Sequence, residues 1–272
     1  MSGYTDIRVE VDDPCCVITL NRPETLNAFT YHTLGELRAA IDDAVADQRV
    51  VGIVITGAGR GFSSGLDAQV LADTTESGVS SSANRPPDEL PGLFSYLLQV
   101  PKPIIAAVNG VAAGGGMVLA LMSDLRIAST AASFTTVFLK RGLIAEHGSS
   151  WLLPRLVGTG RALELLWLSD RIGAAEAADM GLVEKLVEPD ELLDSARDWV
   201  RRMADSAAPK AIAATKSLVY NHLGVDYEAA LHEAEQVQDA FVAAPDAREG
   251  ALALLEKRAP NFDRLGGHPG DD

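Results

Sequence analysis

Cysteine is scarce: the 272 residues hold two, Cys15 and Cys16, side by side. Adjacent cysteines do not meet ordinary disulfide geometry with each other, and no disulfide framework can be built from one such pair. Both lie in the apolar run CCVITL, where buried free thiols are expected; this points to a reducing compartment and a cytoplasmic location. Positive charge is also short. The 23 Lys and Arg against 38 Asp and Glu leave a formal net charge of −15. Such a surface repels phosphate backbones, so no nucleic-acid partner is expected, and a polyanionic cofactor would need a local basic patch. The polar, acidic start MSGYTDIRVEVDD lacks the basic and apolar regions of a signal peptide. One uncharged run, Ile104 to Met122, approaches membrane-spanning length, but Asn109 and four glycines interrupt it and Pro103 precedes it. It reads as a buried strand, a glycine turn and a buried helix, with no membrane partner expected.

What remains is a globular composition, with 47% hydrophobic and 22% charged residues. The length suits one large domain, or one domain with a helical appendage. The first half alternates strands and helices. CCVITLN and VVGIVITG are β-rich, and the second is apolar on both faces, as a strand covered on both sides must be. Between them, Leu34, Leu37, Ile41, Ala44 and Val45 recur at helical spacing. IIAAVNG and LRIAS read as strands around a helix beginning at GMVLALMSD. RALELLWLSD and AAEAADMG read as short helices, and LVEKLVE as a strand. The Ser/Pro/Gly-rich residues 72–92 read as a long mobile loop. From about Ser206 the chain reads as helical, with Tyr227, Leu231, Ala234, Val237 and Phe241 on one face. The expected division is an α/β core over 1–205 and a helical region over 206–272.

Two glycine-rich turns carry the chemistry. Gly61-Phe62-Ser63-Ser64-Gly65 matches the G-x-S-x-G pattern of a serine-hydrolase nucleophile elbow. The strand before it ends at Gly57, and Ala58, Gly59 and Arg60 intervene, whereas an elbow follows its strand directly. A plausible helix does follow Gly65, and the order Ser63, Asp124, His147 fits a hydrolase, so spacing alone leaves that reading open. GAGRG lacks the Lys-Ser/Thr of a P-loop, and Gly114, Gly115 and Gly116 do not form a dinucleotide-binding G-x-G-x-x-G. The other possibility is that each turn presents a free backbone N–H. At the start of a buried helix such groups favour an anion, and two converging on one point make an oxyanion hole.

ITLNRPETLNAF, IVITGAGRGFSSGLD, PKPIIAAVNGVAAGGGMVLALMSDLRIAS, GLIAEHGSSWLLPRLVG, AAEAADMGLVEKLV and EGALALLEKRAPNF, in this order, resemble the crotonase superfamily (the enoyl-CoA hydratase/isomerase family) across nearly the whole chain. The resemblance implies a spiral of ββα units, then a C-terminal helical region that assembles a trimer or a dimer of trimers. It implies an acyl-CoA substrate, no metal, and no cofactor beyond the coenzyme A that the substrate carries. The N–H groups of Leu66 and Gly115 would bind the thioester oxygen and stabilise an enolate. Ser63 would then be turn scaffolding, and Gly65 would let Leu66 N–H face the ligand. Further ligand contacts are implied at Ser64, Gly65, Asp67, Ala68 and Gly114, and C-terminal coenzyme A contacts at Lys257 and Phe262, often across a subunit interface. Asp67 is expected to fix its turn, and Asp124 and Arg126 to make structural polar contacts.

Hydratases of this family use two glutamates to add water, one activating it and one delivering the α-proton. Their positions fall here on Val118 and Phe138, neither of which can hold a proton. The remaining carboxylate is Glu146, whose position resembles the single acid of Δ3,Δ2-enoyl-CoA isomerases and of ring-epoxide phenylacetyl-CoA isomerases. One base suffices for isomerisation: it takes a proton from C2 of a 3-enoyl thioester and returns it at C4. An apolar wall at Val118 and Phe138 would raise the pKa of Glu146 and keep water out. His147 reads first as a surface or packing histidine, with a second titrating group or a hydrogen-bond partner as the alternative. The expected activity is enoyl-CoA double-bond isomerisation; the alternatives are an enoyl-CoA hydratase, a CoA-thioester hydrolase, and an acyl-CoA-binding oligomer without catalysis.

Overall fold

The computed structural model describes residues 3–77 and 90–266. In chain order the strands are β1 (Ile7–Asp12), β2 (Cys15–Leu20), β3 (Gly52–Gly57), β4 (Gly61–Ser63), β5 (Ile104–Val108), β6 (Val111–Ala113), β7 (Leu125–Ser129), β8 (Ser133–Thr135), β9 (Ile172–Gly173) and β10 (Lys185–Val187). They form a six-stranded sheet, β1-β2-β3-β5-β7-β10, and a four-stranded sheet, β4-β6-β8-β9. The first is parallel apart from the β1–β2 pair, and the second is parallel apart from β8–β9.

Alternate residues of the central strands feed two separate apolar clusters, as the two-residue period of a strand requires. Cys16, Ile18, Ile53, Ile55, Ile104 and Ala106 belong to one, and Cys15, Val17, Val54, Ile105 and Ala107 to the other. Both cysteines are therefore buried free thiols, one on each face. Burial pushes the Cys15 thiol up to about 11 and the Cys16 thiol up to about 12.

The helices are α1 (Tyr31–Ala46), α2 (Ala68–Ser77), α3 (Gly115–Met122), α4 (Ser149–Val157), α5 (Thr159–Leu168), α6 (Ala174–Asp179), α7 (Leu192–Ser206), α8 (Pro209–His222), α9 (Tyr227–Val242) and α10 (Pro245–Glu256). Helix α1 begins with a reciprocal capping box between Thr30 and Thr33, and buries Leu37, Ala40, Ile41 and Ala44 in the first cluster. Helix α7 covers the opposite face with Leu192, Ala196 and Val200, spaced four apart. Helix α3 is buried at every position; the apolar run singled out in the sequence holds the expected strand and interior helix, β5 and α3, with a second short strand, β6, between them. Among the described residues no helix is long and apolar enough to cross a membrane.

The expected loop over 72–92 is corrected at its start, because α2 continues to Ser77; its middle, 78–89, lies outside the described residues. Thr74 and Thr75 hydroxyls there donate to carbonyls one turn back, Val70 and Leu71, so they fit a helix that their residue type disfavours.

Asp124 and Arg126 serve the scaffold, as expected. Asp124 accepts from Ile104 N–H at 2.7 Å, Lys216 Nζ at 2.8 Å and Tyr220 OH at 3.0 Å, tying α8 to the start of β5. The buried Arg126 guanidinium donates to Leu182 O and Ser123 O and pairs with Glu184. In contrast, α9 buries none of its residues in a single chain, and Tyr227 and Leu231 of its apolar face stand exposed.

Candidate functional site

The two glycine turns lie against each other. Ser63, the last residue of β4, is fully buried; its Oγ donates to Asn27 O at 2.8 Å and accepts from Gly65 N at 3.1 Å. A nucleophile needs an exposed, basic-partnered hydroxyl, so Ser63 is turn scaffolding and the hydrolase elbow is removed. Phe29 then grips the turn from both sides, donating its N–H to Gly65 O at 2.8 Å and accepting from Asp67 N at 2.9 Å. Leu66 N–H lies between these bonds and, among the described residues, has no hydrogen-bond acceptor. Asp67 Oδ1 accepts from Gln69 N at 3.1 Å and so caps the start of α2, while its other oxygen faces Arg22.

The second turn enters α3 through Gly114, at φ +50°, whose N–H donates to Thr135 O. Gly115 carries the first N–H of the helix, which has no intrahelical partner by construction and none elsewhere among the described residues. Contact between the turns requires glycine. A Cβ on Gly65, at φ +90°, would stand 2.7 Å from Ala113 O and 2.9 Å from Gly115 N; one on Gly116 would overlap Ser63 O. A Cβ on Gly115 would lie 3.6 Å from Leu66 N. Two unclaimed N–H groups thus sit on touching loops, one of them at the positive end of a buried helix.

Beside them opens a cleft of about 920 Å³. Ser64, Leu66, Asp67 and Ala68 form one end of its lining, with Thr25 and Ala28 of the neighbouring loop. One side of α2 continues it with Leu71, Ala72, Thr75 and Glu76, which lie at i+3, i+4, i+7 and i+8 from Ala68 and so share a single helix face. The remaining wall residue is Arg141, which precedes the left-handed Gly142. Sequence reading missed the α2 face and Arg141.

Glu146 occupies the turn before α4, five residues beyond Arg141. Its side chain is 34% exposed, and burial raises its pKa above the ordinary carboxylate value. His147 Nε2 stands 3.8 Å from Glu146 Oε2, on a residue with φ +53°, and Gly148 follows at φ +81°. Ser149 holds the turn through N–H and Oγ bonds to Glu146 O at 3.0 and 2.7 Å. A Cβ on Gly148 would meet Met122 Cε at 2.6 Å, so the turn packs closely on the Met122 side chain of α3.

The sequence model described as enoyl-CoA hydratase/isomerase matches residues 10–265. The chain belongs to the enoyl-CoA hydratase/isomerase family. A Rhodobacter capsulatus protein named probable enoyl-CoA hydratase is 39% identical over 262 residues, covering 96% of this chain and 98% of its own. The 1,2-epoxyphenylacetyl-CoA isomerase of Escherichia coli is 33% identical over 257 residues, covering 93% and 96%. Among solved structures, an enoyl-CoA hydratase/isomerase from Mycobacterium paratuberculosis superposes with a TM-score of 0.86 at 33% identity, covering 96% of this chain and 99% of that one. The two sheets and the helices that follow them are the crotonase fold.

Within this enoyl-CoA hydratase/isomerase chain, Ser64, Leu66, Asp67 and Ala68 come together at the cleft, with Gly65, Gly114 and Gly115 behind them. Val118 and Phe138 are 0% and 5% exposed and belong to the main core, so they do not line the open cleft as a wall. Glu146 and His147 are likewise not among its lining residues. Within one chain, Lys257 and Phe262 also stand apart from it. Lys257 ends α10 in a left-handed, exposed conformation, and Phe262 folds back within 3.6 Å of a Cβ placed on Gly250.

Proposed function

We propose that the protein is an acyl-CoA double-bond isomerase working through a thioester enolate, with Glu146 as its single base. The observation that carries this reading is the uneven placement of acids. The two positions where the family's hydratases use glutamates hold buried apolar side chains, Val118 and Phe138, while a partly buried carboxyl with a raised pKa stands at Glu146. A base poised above the usual carboxylate range is better matched to removing a weakly acidic α-proton. Leu66 N–H and Gly115 N–H would hold the thioester oxygen while negative charge develops on it. Coenzyme A enters as part of the substrate, and this chemistry asks for no further cofactor.

Hydration is the second reading, favoured by the name of the Rhodobacter capsulatus relative. One preparation separates the two when offered trans-3-hexenoyl-CoA and crotonyl-CoA in turn. Conversion of the first without change of mass, and no hydration of the second, is the expected result. Gain of one water by crotonyl-CoA would overturn the single-base mechanism.

The same reading includes a homo-oligomer, a trimer or a dimer of trimers. Its support is the apolar surface that α8 to α10 leave open in one chain, including Val219, Tyr227, Leu231, Val242 and Leu254. Sedimentation at micromolar concentration tests it.

A further inference from the structure

We propose that Arg141 is an anion-reading residue of the cleft, taking a carboxylate or phosphate group of the bound acyl-CoA; this rests on the acyl-CoA reading of the site. Lys140 beside it is occupied by Ser169 O and Asp170. Arg141 is exposed, and among the described residues its guanidinium meets neither a hydrogen-bond acceptor nor a carboxylate within ion-pair distance. Glu76 lines the same cleft and does not pair with it, so the space between the two walls is open to a ligand.

The position is informative because the rest of the lining is plain. The α2 face offers Ala68, Leu71, Ala72 and Thr75, and Asp67 is engaged by Arg22. In a chain with a formal charge of −15, a guanidinium without an anionic partner among the described residues, in the cleft that contains Leu66, supplies the local positive charge that an anionic ligand requires. Its planar fork suits two oxygens of one carboxylate or phosphate. Arg141 ends the short turn that begins after Phe138, five residues before the proposed base Glu146. Two parts of an acyl-CoA offer this chemistry: the phosphates of coenzyme A, and a carboxylate at the end of a dicarboxylic acyl chain.

The test measures binding of unreactive saturated thioesters to the full-length protein and to Arg141→Gln. The probes are butyryl-CoA, glutaryl-CoA and butyryl-pantetheine, the last without phosphates. Loss of one charge-assisted contact is expected to weaken binding about tenfold. Weakening confined to glutaryl-CoA supports the proposal and assigns the anion to the acyl chain. Weakening of both CoA esters, with butyryl-pantetheine unaffected, supports it and assigns the anion to coenzyme A. Equal affinities in the two proteins overturn it, as does equal weakening of all three probes, which would make Arg141 a shaper of the cleft. Absence of binding to the unaltered protein removes the acyl-CoA reading and this inference together; binding without an Arg141 effect removes this inference alone.

Discussion

Alanine at Gly65 should cost both stability and turnover, whereas alanine at Gly115 should cost turnover alone. At Gly65 the added Cβ falls 2.7 Å from Ala113 O and 2.9 Å from Gly115 N, on a residue held at φ +90°. Relief requires the two turns to part by roughly 0.5–1 Å in a region packed at interior density. Left-handed strain and the forced contact together cost about 2–3 kcal/mol. For a chain of this size that lowers Tm by roughly 5–10 °C. The shift also separates Leu66 N–H from Gly115 N–H, and loss of one oxyanion donor costs about 10²–10³ in kcat. At Gly115 the new Cβ meets its neighbours at 3.5 to 3.6 Å, which is ordinary contact, and lies 3.6 Å from Leu66 N. Gly115→Ala is therefore expected to keep Tm while placing a methyl group where the thioester oxygen must approach, lowering turnover about a hundredfold. Thermal melts by circular dichroism and initial rates on the active 3-enoyl-CoA substrate test both variants. Full turnover in Gly115→Ala would refute the assignment of the thioester oxygen to this pair of N–H groups. An unchanged Tm in Gly65→Ala would refute the packing argument.

Glu146→Gln preserves shape and removes the base, so turnover should fall about 10²–10⁴-fold with acyl-CoA binding retained; undiminished turnover would exclude Glu146. Burial raises the pKa of Glu146, so the unaltered enzyme should gain rate as pH climbs through that raised value and then level off; a rate falling over this range would contradict a carboxylate base. Its effect on stability has the opposite sense to that of a salt-bridged acid: the contribution is present at low pH and is lost as pH rises from the unfolded pKa through the raised folded one. Ser63→Ala loses two buried bonds and should cost about 1–2 kcal/mol while leaving most turnover; complete loss with intact folding would revive the hydrolase reading. Lys102, buried and donating to Ala44 O and Asp47 O, is pushed down to about 8 by burial. Between there and its unfolded value the unfolded chain holds more protons, so this lysine should make stability rise with pH. The buried thiols act in the opposite sense, so the measured quantity is the urea stability of the unaltered protein minus that of Lys102→Met; a difference without pH dependence would contradict the burial argument.

The strands legible in the sequence were β2, β3, β5 and β7, which place apolar side chains on both faces, and β10 within LVEKLVE. Strand β1 is hidden because Arg8, Glu10 and Asp12 alternate outward between Ile7, Val9 and Val11, so the segment reads as polar and acidic. Strands β4, β6, β8 and β9 have two or three residues each, too few for any period to register. Helix α7 escaped because its buried stripe is narrow, Leu192, Ala196 and Val200, among charged neighbours. In the candidate site, Gly65 and Gly115 could be found from local chain chemistry, since left-handed turns and helix starts announce themselves in glycine. Val118, Phe138 and Glu146 had no local signal and were placed by family resemblance. Arg141 had neither, because only the folded chain brings residue 141 to the wall that α2 and Leu66 form.

Asp124 pins three elements at one point. Its two oxygens collect Ile104 N–H, Lys216 and Tyr220, while Lys216 also reaches Leu97 O. The ladder bonds of the six-stranded sheet do not pass through that carboxylate. Removing it would loosen α8 from the start of β5, while the bonds of Gln48 to Gly266 O and of Arg264 to Asp13 would still hold the far end of the helical region to the core.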